Sequence, residues 1–183
     1  MNHPKSILEA LDRRLTAPTE LVLYGRAALA LGFEQPRAEF AATLDVDAIL
    51  PLADLPRLEA DDVFWTALEE TNNELESQGL YMTHLFVEDQ VILSEGWYQR
   101  RVPIEVASLQ KLRLFRPDLG DLILTKMMRV DPQDRDDILF LLGEMEKPQL
   151  QLPPYFDNAH IPPIPEIEEA FRENKRWILS ELE

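Results

Sequence analysis

A chain of 183 residues with 45% apolar content is long enough for one folded domain with a proper core and an appendage. No apolar run reaches membrane-spanning length, the N-terminal Met1-Asn2-His3-Pro4-Lys5 lacks a secretory leader, and zero cysteines with three scattered histidines exclude disulfides and disfavour structural zinc; the expectation is a cytoplasmic protein. A net charge of −16 argues against general DNA or RNA binding, which needs Lys and Arg against phosphate.

Residues 4–16 carry Ile7, Leu8, Leu11 and Leu15 on one side, which predicts an amphipathic helix ended by Thr16-Ala17-Pro18. Thr19 to Tyr24 is a short apolar strand running into Gly25, and Ala27 to Leu31 is a small-residue helix stopped by Gly32. After a loop over 33–42, a second strand carries Asp45-Val46-Asp47 and ends near Pro51. Asp61 and Asp62 open a helix through Gln78, with Phe64, Trp65, Leu68, Thr71 and Leu75 at core spacing and Gly79 as its C-cap.

Leu80 to Val87 alternates as a strand, with Tyr81, Thr83, Leu85 and Val87 expected on one face. Val91 to Leu93 is a further short strand. Arg101 to Val106 points Val102, Ile104 and Val106 inward and Glu105 outward, and Leu112 to Phe115 is the last strand. Trp97 to Arg129 holds seven positive against three negative residues, a local +4 in an acidic chain, suited to a triphosphate or to a solvated face. Pro117-Asp118 and Asp131-Pro132 each open a helix. Residues 148–165 hold six of the fourteen prolines, which predicts a stiff extended linker between a domain over 1–147 and a last helix with Ile167, Phe171, Ile178 and Leu182 in one stripe. That helix either docks back on the domain or offers a face to a protein partner.

The chemistry concentrates at Asp45 and Asp47, which share one face of their strand. Two adjacent carboxylates repel unless they share a cation, and Mg²⁺ takes one or two carboxylates together with phosphate oxygens and water. Gly25, about twenty residues upstream, ends an apolar strand in a turn whose bare backbone can approach phosphate.

Strand–Gly25, Thr43-Leu44-Asp45-Val46-Asp47, Asp121-Leu122-Ile123-Leu124-Thr125-Lys126 and Asp134-Arg135-Asp136-Asp137-Ile138-Leu139-Phe140-Leu141-Leu142 occur in an order that resembles bacterial small nucleotidyltransferase-like proteins, including those related to abortive-infection toxin components. The resemblance covers roughly residues 20–145. It implies an α+β fold, a mixed sheet flanked by helices with a C-terminal helical part. It further implies a nucleoside triphosphate as substrate, Mg²⁺ as cofactor, and a protein or RNA acceptor. Asp45 and Asp47 would hold the metal, and Gly25, Arg26, Thr43 and Lys126 would contact the nucleotide. Lys126 is otherwise a snorkelling lysine or a partner for Asp137. Glu105 is the best placed third carboxylate, with Glu88 second. Arg26 stands where those families carry Gly or Ser; it either binds phosphate itself or fills the pocket. The competing expectation is a catalytically degenerate member acting as a binding or regulatory protein, and a lower one is an unrelated carboxylate-dependent metal hydrolase.

Overall fold

The computed structural model describes residues 2–183, the side chain of His84 excepted. In chain order the elements are α1 (His3–Arg14), β1 (Thr19–Tyr24), α2 (Gly25–Leu31), β2 (Asp45–Leu50), α3 (Leu55–Glu59), α4 (Asp62–Leu75), β3 (Tyr81–Val87), β4 (Leu93–Ser94), β5 (Val102–Ile104), β6 (Leu112–Arg116), α5 (Leu119–Lys126), α6 (Pro132–Gly143), α7 (Pro148–Asp157), β7 (Ala159–His160) and α8 (Pro165–Glu181). They form two compact units, Met1–Val87 with Arg101–Arg116 and Glu88–Arg100 with Pro117–Glu183. The chain enters the second unit at 88–100 and returns over 101–116 to complete the sheet of the first.

The first unit is a five-stranded mixed sheet in the order β3-β2-β1-β6-β5. β1 pairs antiparallel with β2 and parallel with β6, while β2 and β3 run parallel. Asn2 caps α1 by accepting the Lys5 N–H at 3.0 Å, and the helix buries Ile7, Leu8 and Leu11 completely. Asp61 caps α4 through the Phe64 N–H at 3.0 Å, and Gly79, with φ +67°, closes the turn beyond its end. Asn72 of α4 exchanges two hydrogen bonds with the Met82 backbone, at 2.8 and 3.0 Å, on the strand that ends the sheet order. This side chain imitates a strand partner and blunts a sheet edge.

The strict alternation expected along β3 does not hold. Val46 is level with Met82 and Ala48 with Leu85, so three residues of β3 advance against two of β2. The extra residue is a β-bulge, and it moves Leu85 to the opposite face from Tyr81 and Thr83.

A carboxylate from α1 fixes the approach to β6. Asp12 is buried, and its oxygens accept the backbone N–H groups of Gln110 (3.1 and 3.2 Å), Lys111 (2.8 Å) and Leu112 (2.7 Å). Burial alone would raise its pKa, but the three N–H donors and the Lys111 charge outweigh it and hold the carboxyl below its ordinary value.

In the second unit, β4 and β7 form a two-stranded ladder beside four helices. Asp121, at 0% exposure, accepts the Ser94 N–H and hydroxyl, both at 2.7 Å, and the Arg100 guanidinium at 2.9 Å. Burial nevertheless dominates and raises its pKa. Asp118 caps α5 through the Asp121 N–H at 3.0 Å and accepts the Tyr155 hydroxyl at 2.7 Å. A Cβ on Gly120 would lie 2.5 Å from the Tyr155 ring, so the glycine permits α7 to close on α5.

Residues 148–157 are helical rather than an extended linker. Pro148 occupies the first turn, where no N–H is missed, but Pro153 and Pro154 lie inside the helix and each removes a donor. Burial of Leu152 and Phe156 on one face, together with the Tyr155 bond to Asp118, outweighs that cost. The last helix docks within its own unit: Phe171 meets Phe156 edge-on at 6.3 Å, and buried Asn174 donates to the Arg129 carbonyl at 2.9 Å.

Replacing Asp12 by Asn turns one acceptor into a donor facing the same N–H groups. The expected loss is about 1–3 kcal/mol at pH 7, measured by urea unfolding. Because the folded carboxyl sits below its unfolded value, the wild-type advantage is complete above about pH 4 and fades as pH falls through the lowered folded pKa. A gap between wild type and variant that persists undiminished at pH 2 would assign Asp12 a packing role.

Candidate active site

β1 ends at Tyr24, which is level with Asp47 of the antiparallel neighbour β2. The next residue, Gly25, adopts φ +63°, a left-handed conformation that side chains rarely take. A Cβ built on it would stand 3.4 Å from Asp47 Oδ2. The turn and the carboxylate are therefore neighbours, and the absence of a side chain keeps the backbone open on the side of that oxygen.

Asp45 and Asp47 alternate with Val46 and Ala48, which are fully buried on the other side of the sheet. Both acids are half-buried. Asp45 Oδ1 accepts the Thr43 hydroxyl at 2.8 Å. Asp47 Oδ1 accepts the hydroxyl of Thr83, which also lies 3.1 Å from the Val46 carbonyl. Tyr81, level with Asp45 in the parallel ladder, shares the face. Arg26 places its guanidinium carbon 5.6 Å from the centre of the Phe40 ring.

Four of the expected site residues, Gly25, Thr43, Asp45 and Asp47, are thus drawn together, with Arg26 next in the chain. Glu105 is not brought to them. It follows β5, which is separated from β2 by β1 and β6, and three strand spacings amount to about 14 Å. A third carboxylate from that position cannot reach a metal held by Asp45 and Asp47. Glu88 belongs to the second unit, where its Oε2 accepts the Trp97 indole N–H at 2.6 Å. The side chain facing Asp47 from β3 is Thr83, a hydroxyl. Among the described residues no group of three or more acidic, His or Cys side chains converges as a metal site. Sequence alternation alone put Thr83 on a face with Tyr81; its pairing with β2 is what makes it a neighbour of Asp47.

Lys126 lies in the second unit and is buried. Its ammonium sits 2.9 Å from Asp134 Oδ1 and 2.7 Å from Asp137 Oδ2, and Arg129 also reaches Asp134. Burial would raise the Asp134 carboxyl, yet the Arg129 and Lys126 charges outweigh it and lower its pKa. Of the three roles weighed for Lys126, the pairing with Asp137 is present, and Asp134 is its second carboxylate.

Two carboxylates fixed by hydroxyls, beside an open glycine turn, suit a hard divalent cation whose remaining ligands are phosphate oxygens and water. The sheet that holds them is an α+β mixed sheet flanked by helices, consistent with a nucleotidyltransferase-like fold. Residues 5–142, more than half of the chain, match the family described as nucleotidyltransferases of unknown function (DUF6036), and the chain belongs to that family. No curated protein and no solved structure matches it.

Lys126→Met should cost roughly 3–5 kcal/mol of folding stability, as follows loss of one partner from a buried ion pair, and so lower the melting temperature markedly. Thermal unfolding at pH 7 measures it. A variant as stable as wild type but defective in triphosphate binding would restore the nucleotide-binding role instead.

Proposed function

We propose that the chain is a Mg²⁺-dependent nucleotidyltransferase that moves a nucleotidyl group from a nucleoside triphosphate to a protein or RNA acceptor. The observation that carries this reading is the placement of the Gly25 turn beside Asp47, with Asp45 on the same face of the sheet. A phosphate-approaching backbone and a metal-type carboxylate pair are what such a transfer needs side by side. The bound ion would neutralise phosphate charge and align the in-line displacement.

The remaining work falls to the protein. Asp45 and Asp47 supply two anionic oxygens, and the Thr43 and Thr83 hydroxyls set the rotation of each carboxylate. Gly25 leaves its backbone accessible to the triphosphate, and Arg26 adds a positive charge beside the same turn. Either kind of acceptor would suit a toxin component, the role implied by the resemblance to abortive-infection proteins.

Thr83 favours one second reading, a catalytically degenerate member of the family acting as a binding or regulatory protein. A carboxylate facing Asp47 could serve as general base toward an acceptor hydroxyl, whereas a threonine hydroxyl cannot at neutral pH. This reading retains the fold and predicts function through a protein partner.

Thermal unfolding with each ribonucleoside triphosphate, with and without Mg²⁺, separates the two. A ligand at a hundred times its dissociation constant should stabilise the wild type by about 2.7 kcal/mol. The shift should require Mg²⁺ and vanish in an Asp45→Asn/Asp47→Asn variant that remains folded. The absence of any shift from a folded wild type would reject the transferase and leave the binding protein.

A further inference from the structure

We propose that Tyr81 is the platform on which the base of the bound nucleotide stacks, and that the site accordingly accepts all four bases; this rests on the nucleotidyltransferase reading above. Three adjacent strands carry the argument. Gly25 follows the end of β1, Asp45 and Asp47 lie on β2, and Tyr81 opens β3 level with Asp45. Neighbours in a ladder share a face, and Tyr81 precedes the bulge that disturbs the alternation further along.

The step from β1 to β3 is two strand spacings, on the order of 10 Å. That span matches a nucleotide whose phosphates lie at the glycine turn and whose base extends across the carboxylate pair. Tyr81 is 44% exposed. Among the described residues its hydroxyl has no hydrogen-bond partner and its ring no aromatic or cationic neighbour. The other aromatics beside the site are committed: Tyr24 and Phe86 pack edge-on at 5.7 Å and are half-buried. An open phenol ring next to a carboxylate that would hold metal is thus the surface available to a base. Stacking of this kind discriminates little between bases, because each presents a π-face.

Calorimetric titration of wild type, Tyr81→Phe and Tyr81→Ala tests the inference, with the four Mg²⁺–ribonucleoside triphosphates and with Mg²⁺–tripolyphosphate, which has no base. The expected result is roughly 5- to 150-fold weaker binding of every nucleotide by Tyr81→Ala, the equivalent of losing one base–aromatic stack, with affinity retained in Tyr81→Phe. Tripolyphosphate should bind all three proteins equally. Nucleotide affinity unchanged in Tyr81→Ala would overturn the stacking role and leave the transferase intact. Equal loss of tripolyphosphate binding would overturn it too, since Tyr81 would then act on the metal pair. A preference above 100-fold for one base would overturn the claim of base tolerance. A wild type that binds neither nucleotide nor tripolyphosphate would reject the underlying transferase reading, and the inference with it.

Discussion

β1 is the strand on which the site depends, because it is hydrogen-bonded on both sides and its register to β2 sets everything around the carboxylates. Tyr24 is level with Asp47 on one side, and Thr19 to Val22 are level with Leu112 to Phe115 on the other. Side chains repeat every two residues, so a slip of one residue in β2 would turn Asp45 and Asp47 into the core and Val46 and Ala48 out of it. Burying two adjacent carboxylates without partners is far costlier than exposing two small apolar groups. Leu23, Val46 and Ala48, all at 0% exposure, thus lock the same register that places Asp47 beside the Gly25 turn.

The acids of this chain divide by how completely the protein satisfies them. Asp12 receives three backbone N–H groups, Asp121 receives Ser94 twice and Arg100, and Asp134 with Asp137 encloses Lys126. Each replaces lost water with donors in fixed positions, which is the condition for keeping a charge inside. Asp45 and Asp47 receive hydroxyls and remain half open to solvent. A carboxylate buried among N–H groups or cations has little room left for a metal, whereas one half open to solvent can still take a ligand. This contrast separates the strand pair from the acidic α6 segment, although both entered the resemblance as motifs.

Much of this was legible in the sequence, for local reasons. The stripe of Ile7, Leu8 and Leu11, the apolar run into Gly25, the alternation at Asp45 to Asp47 and the Asp118 and Asp131 caps are all patterns within a few residues. What was not legible depended on pairing between distant segments. Strand order put Glu105 at the far edge of the sheet, the pairing of β3 with β2 set Thr83 against Asp47, and the bulge turned Leu85 away. The helix over 148–157 was hidden by its own prolines: their local cost is real, and only burial of Leu152 and Phe156 shows why it is met.

Under the transferase reading, a two-carboxylate site in a chain of net charge −16 couples metal to nucleotide. The protein offers the cation two ligands where six are wanted, so metal affinity in the absence of triphosphate is intrinsically low. The triphosphate in turn approaches an acidic protein whose field repels it, with Arg26 as a local exception. Each ligand removes the obstacle to the other: the cation cancels the repulsion, and the phosphates complete the coordination. Linkage makes that enhancement equal in both directions. Thr83 in place of an acid strengthens the coupling, since one fewer negative charge lowers the affinity for the bare ion more than for the ion arriving with its phosphates.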